Sequence, residues 1–132
     1  MNEHTKGLAH IAVYTKDIGA SAAFYEKLGG AVEKRGAVST PEGEKKLALV
    51  SFAGLTLELI QNEGPMPMEE GVVPHFAVLV DDLDAAAAAV RAAGVDSFMS
   101  PEKKVLPELF GGLQNWFFTG PSGEQIELLQ ML

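Results

Sequence analysis

Cysteine is absent from the 132 residues, which excludes disulfides, thiolate chemistry and sulfur-ligated zinc. Any metal must then be held by nitrogen and oxygen. No apolar run reaches the roughly 18 residues that a membrane-spanning helix needs. The opening Met1-Asn2-Glu3-His4 carries no basic-then-apolar leader, so a cytoplasmic location and no membrane association are expected. Basic residues are also scarce: 10 Lys and Arg against 18 Asp and Glu give a formal charge of −8. A nucleic-acid backbone or an anionic membrane surface is bound by clustered cations, so neither is an expected partner. The 47% hydrophobic and 21% charged residues are the balance of a single globular domain able to bury a core.

One phrase occurs twice. Gly7-Leu8-Ala9-His10-Ile11-Ala12-Val13-Tyr14-Thr15-Lys16-Asp17 is echoed 65 residues later by Pro74-His75-Phe76-Ala77-Val78-Leu79-Val80-Asp81-Asp82. Both are alternating, β-branched and aromatic stretches that open on histidine and stop at aspartate. They predict strands, the first over residues 8–15 with Ile11 and Val13 on one face and His10, Ala12 and Tyr14 on the other. Asp17 and Asp82 predict helix N-caps. Ile18, Ala22, Tyr25 and Leu28 then follow at helical spacing up to Gly29-Gly30, and an alanine-rich stretch runs from Leu83 to Ala93 up to Gly94.

After the first helix, residues 31–40, 46–52 and 55–61 predict three strands, broken by Pro41-Glu42-Gly43-Glu44 and Ala53-Gly54. After the second, a short strand near Ser100–Glu108 runs into a loop, and strands follow over 114–119 and 125–129 around the turn Pro121-Ser122-Gly123-Glu124. Gly54, Leu57, Glu58, Leu59 and Gln61 return as Gly123, Ile126, Glu127, Leu128 and Gln130, all 69 residues on. The change of spacing from 65 to 69 places four extra residues in the loop around 101–112. The expected fold is therefore α+β, one domain over 1–132. It comprises a βαβββ module at 5–62, a Pro- and Gly-rich connector at 63–73 whose Met66 and Met68 suit a pocket mouth, and a second βαβββ module at 74–131.

Four residues occupy matched places in the two copies: His10 and His75 open the first strands, and Glu58 and Glu127 sit mid-way along the last. Each glutamate lies between apolar neighbours on a strand expected to be interior, where an uncompensated carboxylate costs several kcal/mol, as a rough figure. A divalent cation supplies the compensation if the modules pack about a pseudo-twofold axis. Two imidazoles and two carboxylates suit nickel, cobalt, manganese, iron or zinc, and a six-coordinate ion keeps two positions for water or for adjacent oxygens of a substrate.

With "HIAVYTKDIGASAAFYEKLGG" opening the first module and "FFTGPSGEQIELLQ" closing the second, the chain resembles the vicinal oxygen chelate superfamily over nearly its whole length. Its His, Glu, His, Glu order resembles glyoxalase I (lactoylglutathione lyase). The resemblance implies a curved, cup-like mixed β-sheet, with His10, Glu58, His75 and Glu127 as metal ligands. It also implies proton transfer on a small hydroxycarbonyl or hemithioacetal through a metal-stabilised enediolate. Glu127 is then the favoured base and Glu58 its counterpart. Asn62 matches a family residue that contacts glutathione. Tyr14 stands where the family has a carboxylate-clamping arginine, so the thiol co-substrate is glutathione, another thiol, or none. Trp116, with Phe117 and Phe118, is a candidate pocket wall, and Lys103 and Lys104 are nearby cations. The family also implies a homodimer. An epimerase of the methylmalonyl-CoA kind and a metal-free, bleomycin-resistance-like binding protein are the alternatives. A non-haem iron oxygenase fits less well, because the second glutamate would fill a position that oxygen or substrate needs.

Overall fold

The structure, a computed structural model, describes residue 3 and residues 10–65 and 75–132. Leu8 and Ala9 of the first expected strand, residues 66–73 of the expected connector and Pro74 at the start of the second module lie outside the described residues. The chain divides into two compact units, Met1–Pro65 and Met66–Leu132.

The first unit runs β1 (Ile11–Tyr14), α1 (Ile18–Lys27), β2 (Ala31–Thr40), β3 (Gly43–Phe52) and β4 (Leu55–Asn62). Its sheet has the order β1-β4-β3-β2, with β1 parallel to β4 and the other pairs antiparallel. The second unit runs β5 (His75–Leu79), α2 (Leu83–Ala92), β6 (Lys104–Leu106), β7 (Leu113–Thr119) and β8 (Gln125–Met131). Its order β5-β8-β7-β6 repeats the first, again with one parallel pair, β5 with β8. The fold is thus mixed α+β, with two four-stranded sheets and one long helix on each.

Alternation decides which face each helix covers. Leu57 and Leu59 of β4 pair with Val50 and Ala48 of β3, and all four are essentially buried. Tyr25 of α1 is buried with them and meets Phe52 edge-on at 5.3 Å. In the second unit Phe118, Ile126 and Leu128 fill the same role beneath Leu83 and Ala87 of α2. Among the described residues the opposite face of each sheet has no helix of its own unit upon it, and in β3 its residues Lys45, Leu47 and Leu49 are only half-buried.

Both helices start by one device. The carboxylate of Asp17 accepts from the Ala20 N–H, and that of Asp82 from the Ala85 N–H, each at 3.0 Å. A second acceptor comes from the interior strand: the side-chain carbonyl of Gln61 takes the Ile18 N–H at 2.8 Å, and that of Gln130 takes the Leu83 N–H at 2.7 Å. Two of the first free amides of each helix are thereby satisfied. Gly29 ends the turn after α1 at φ +92°, and Gly94 follows α2 at φ +89°, a conformation that side chains disfavour.

One boundary differs from expectation. Strand β3 begins at Gly43 because Thr40 pairs with Gly43 across a two-residue turn, so exposed Glu44 and half-buried Lys45 join the ladder despite their polarity. The short strand expected within 100–108 is the three residues of β6, and the loop it runs into includes a 3-10 turn at Leu109–Gly111. Prolines 101 and 107 bracket it and cannot donate to a ladder.

Asp17→Ala removes an exposed cap and is expected to cost about 1 kcal/mol. Gln61→Leu strips a half-buried amide of its acceptor and is expected to cost about 1–3 kcal/mol. Urea unfolding measures both; a Gln61→Leu chain as stable as the parent contradicts the clamp.

Candidate functional site

Glu58 lies on β4 between β1 and β3, and Glu127 on β8 between β5 and β7. Both are therefore interior-strand residues. Glu58 pairs with Ala12 across the parallel ladder, and Glu127 pairs with Ala77. His10 precedes Ala12 by two residues, as His75 precedes Ala77. The pleat returns to the same face every second residue, so each histidine shares the face of its glutamate, away from the helix. His10 Nε2 stands 3.5 Å from Glu58 Oε1, and His75 Nε2 stands 3.4 Å from Glu127 Oε1.

These separations exceed the 2.7–3.2 Å of a good N–H···O hydrogen bond. They match the spacing of two adjacent ligands on a common ion: donors about 2.1 Å from a metal and about 90–110° apart lie roughly 3.0–3.5 Å from one another. The donor types also fit a borderline divalent ion. Each unit by itself brings together one histidine and one glutamate, and among the described residues no cluster of three or more His, Asp or Glu side chains occurs. Two donors are fewer than the three or four that protein metal centres use.

The pairs differ in their surroundings. The Glu58 side chain is 23% exposed and the Glu127 side chain 10%. Asn115 of β7 donates its side-chain N–H to Glu127 Oε2 at 3.0 Å, which fixes that oxygen and leaves Oε1 toward His75. Phe117, the cross-strand partner of Glu127, meets the His75 ring edge-on at 5.4 Å. In the first unit Leu49 pairs with Glu58, and Leu47, two residues earlier, corresponds to Asn115. Sequence reasoning missed Asn115 and its role. The readable signal is an amide at a position where the other copy has leucine.

Of the other candidates, Tyr14 pairs with Ile60, which lies between Glu58 and Asn62 on the same face of β4. Tyr14 and Asn62 therefore share the face of the His10–Glu58 pair, with Asn62 about 13 Å along the strand from Glu58. Trp116 lines a cleft with Asn115 and Phe117 but lies on the other face of the strand. It pairs with Leu128, and so belongs to the face opposite Glu127. There its ring lies under the Arg91 guanidinium of α2 at 4.6 Å, and its Nε1–H donates to the Ser100 carbonyl at 3.1 Å. Strict strand alternation puts Phe117, and neither Trp116 nor Phe118, beside the pair.

Residues 7–128 match the family model of the Glyoxalase/Bleomycin resistance protein/Dioxygenase superfamily. The uncharacterized protein YwbC of Bacillus subtilis (strain 168) is 32% identical over 129 residues, covering 95% of this chain and 98% of that protein. A glyoxalase family protein from Enterococcus faecalis has a similar structure, with TM-score 0.70 at 24% identity over 94% of this chain and 97% of that one. The fosfomycin resistance protein FosX of Listeria monocytogenes, solved with Mn(II) and sulfate, has TM-score 0.63 at 20% identity over 97% and 94% of the two chains.

The Asn115 contact makes its own prediction. Asn115→Leu leaves a mostly buried carboxylate oxygen without its donor and is expected to destabilise the protein by about 1–3 kcal/mol. The loss should shrink in the Asn115→Leu, Glu127→Leu double variant, as a denaturation double-mutant cycle reads directly.

Proposed function

The chain belongs to the Glyoxalase/Bleomycin resistance protein/Dioxygenase superfamily, and we propose that within it the protein is a divalent-metal-dependent proton-transfer lyase or isomerase of glyoxalase I type. Its substrate in this reading is a small hydroxycarbonyl compound or a hemithioacetal. The observation that carries the proposal is the repetition of one His–Glu pair, at 3.5 Å and 3.4 Å, in the same register of both sheets. A single such pair is commonplace. Two, each spaced like adjacent metal ligands and each on the helix-free face of its sheet, make a complete set of four donors when joined.

His10, Glu58, His75 and Glu127 would hold the ion, whether the joined pairs come from one chain or from two chains of a homodimer. When bound, nickel, cobalt, manganese, zinc or iron supplies Lewis acidity toward two vicinal substrate oxygens, which acidifies the hydrogen on the carbon they flank. Glu127 is the assigned base. Asn115 holds one of its oxygens, so the other keeps a fixed aim, and a carboxylate held in reach of a carbon-bound hydrogen can take it and return it to the neighbouring carbon. Glu58 is its counterpart on the other side. Tyr14 and Asn62, on the face of the first pair, are assigned to substrate. With tyrosine in place of a bidentate cation, the protein is less suited to the carboxylates of glutathione than a clamp would be, and a smaller thiol adduct satisfies the same reading.

Metal analysis of the purified protein should find near-stoichiometric divalent metal per complete four-ligand set, lost in Glu58→Ala and His75→Ala. Methylglyoxal–thiol adducts and acyl-CoA epimers, assayed after adding nickel, cobalt, manganese or zinc, should reveal turnover. Glu127→Gln should lower kcat by about 100-fold or more with a much smaller change in KM. Absence of bound metal and of turnover with every ion would replace the enzyme by a metal-free ligand-sequestering protein.

A further inference from the structure

We propose that the cleft at the edge of β7 binds a small carboxylate with an apolar body, and that Lys104 holds its charged end. The cleft, of about 350 Å³, lies wholly in the second unit, with Lys104, Leu106, Asn115, Trp116, Phe117 and Gln125 among its lining. That volume is at the lower end of ligand sites, which run from roughly 300 to 1,000 Å³.

The segment from Met99 to Lys104 forms one wall and is pinned at several points. The Met99 N–H donates to the Phe117 carbonyl at 2.9 Å, and the Trp116 Nε1–H holds the Ser100 carbonyl. Lys103 Nζ reaches back to Asp84 of α2 at 2.7 Å. Lys103 is thereby spent on the helix side. Lys104, next along an extended chain, takes the other side and lines the cleft. No carboxylate of the described residues forms an ion pair with Lys104. In a chain of net charge −8, a cation facing a cleft without a protein counter-charge marks the place for an anion.

The cleft leads to the candidate ligand pair. Lys104 pairs with Asn115, and Asn115 with Leu129, two residues beyond Glu127 on the same face. The backbones of Lys104 and Glu127 are therefore about 12 Å apart, a span closed by a lysine side chain, a short ligand and a carboxylate. Asn115 joins the two ends, since it lines the cleft and bonds Glu127. Phe117 and Leu106 give the space between an apolar wall, and Gln125, which pairs with His75, adds a polar group at the reactive end. One ammonium suits a monoanionic carboxylate; a dianion would meet too little positive charge.

The inference deepens the proposed function by giving its substrate an acid group, and it rests on that reading only for what happens at Glu127. Binding is therefore measured on the full chain after EDTA treatment, without metal or turnover. Trp116 lines the cleft and is the single tryptophan of the chain, so its fluorescence reports occupancy. Titration with 3-phenylpropionate, phenylacetate or 4-methylpentanoate should give a saturable change with at least one of them. Lys104→Met should weaken that binding about tenfold or more, and Lys104→Arg by less than about threefold. Lys103→Met should leave it unchanged, with circular dichroism confirming the fold of each variant. No response from any of the three acids, equal binding of neutral 3-phenylpropanol, or an unchanged affinity in Lys104→Met would overturn the proposal. Binding without any metal-dependent turnover would support the cleft while removing the enzyme.

Discussion

The constraint on which the rest depends is the parallel pairing of the first and last strand in each unit. Two strands side by side in one direction cannot be joined by a tight turn. The chain must leave the first strand, cross by a helix, build two further strands, and return to insert the last beside the first. That route separates Ala12 from Glu58, and Ala77 from Glu127, by more than forty residues, yet it sets them opposite one another in identical register. Everything at the candidate site follows from this register. A slip of one residue would turn both glutamates under the helices and expose Leu57, Leu59, Ile126 and Leu128. The apolar core and the acidic pair are thus specified by the same pairing.

The interior strand serves two purposes through its two faces. Glu58 points away from α1, while Gln61, an odd number of residues later, points toward it and accepts the Ile18 N–H. Glu127 and Gln130 repeat the division beneath α2. The glutamine ties the crossover helix to the returning strand and so helps to fix the register that sets the glutamate opposite its alanine. A polar group on each face of a central strand is costly unless both are satisfied. Gln61 and Gln130 meet that condition within their own units. Glu127 meets it in part through Asn115, and among the described residues Glu58 has histidine alone for a close partner.

Much of this was legible in the sequence because the duplication supplied an internal comparison. Histidine and glutamate at matched offsets, aspartate caps and alternating leucines fixed the strand faces and the helix starts before any coordinates were needed. What escaped was the part in which the copies differ. Trp116 reads as a pocket aromatic because of its type and does line the cleft, but only the β7–β8 register reveals that it lies on the α2 face while Phe117 shares the face of Glu127. Asn115 has leucine as its counterpart, so no repeat drew attention to it. The short β6 was expected within 100–108 but its bounds were not readable, because a Pro-bracketed segment with two lysines carries little periodicity of either kind. Lys103 and Lys104 look equivalent in the sequence. The Asp84 ion pair distinguishes them.

The pattern of divergence is itself informative about the chemistry. Where the units agree, in the outer parallel strand, the helix start and the interior strand, they supply the ligand pairs. Where they differ, the first unit keeps two ten-residue strands that meet in a tight hairpin at Thr40–Gly43. The second has only three residues of strand at β6 and a looped segment before it. A full-length β6 would carry the ladder on along the edge of β7 past Asn115. Shortening it leaves the cleft there instead, with one free cation at its side. The duplicated register and the single interrupted strand are therefore separate features of the repeat: the first sets one His–Glu pair in each unit, and the second opens a cleft beside the His75–Glu127 pair alone.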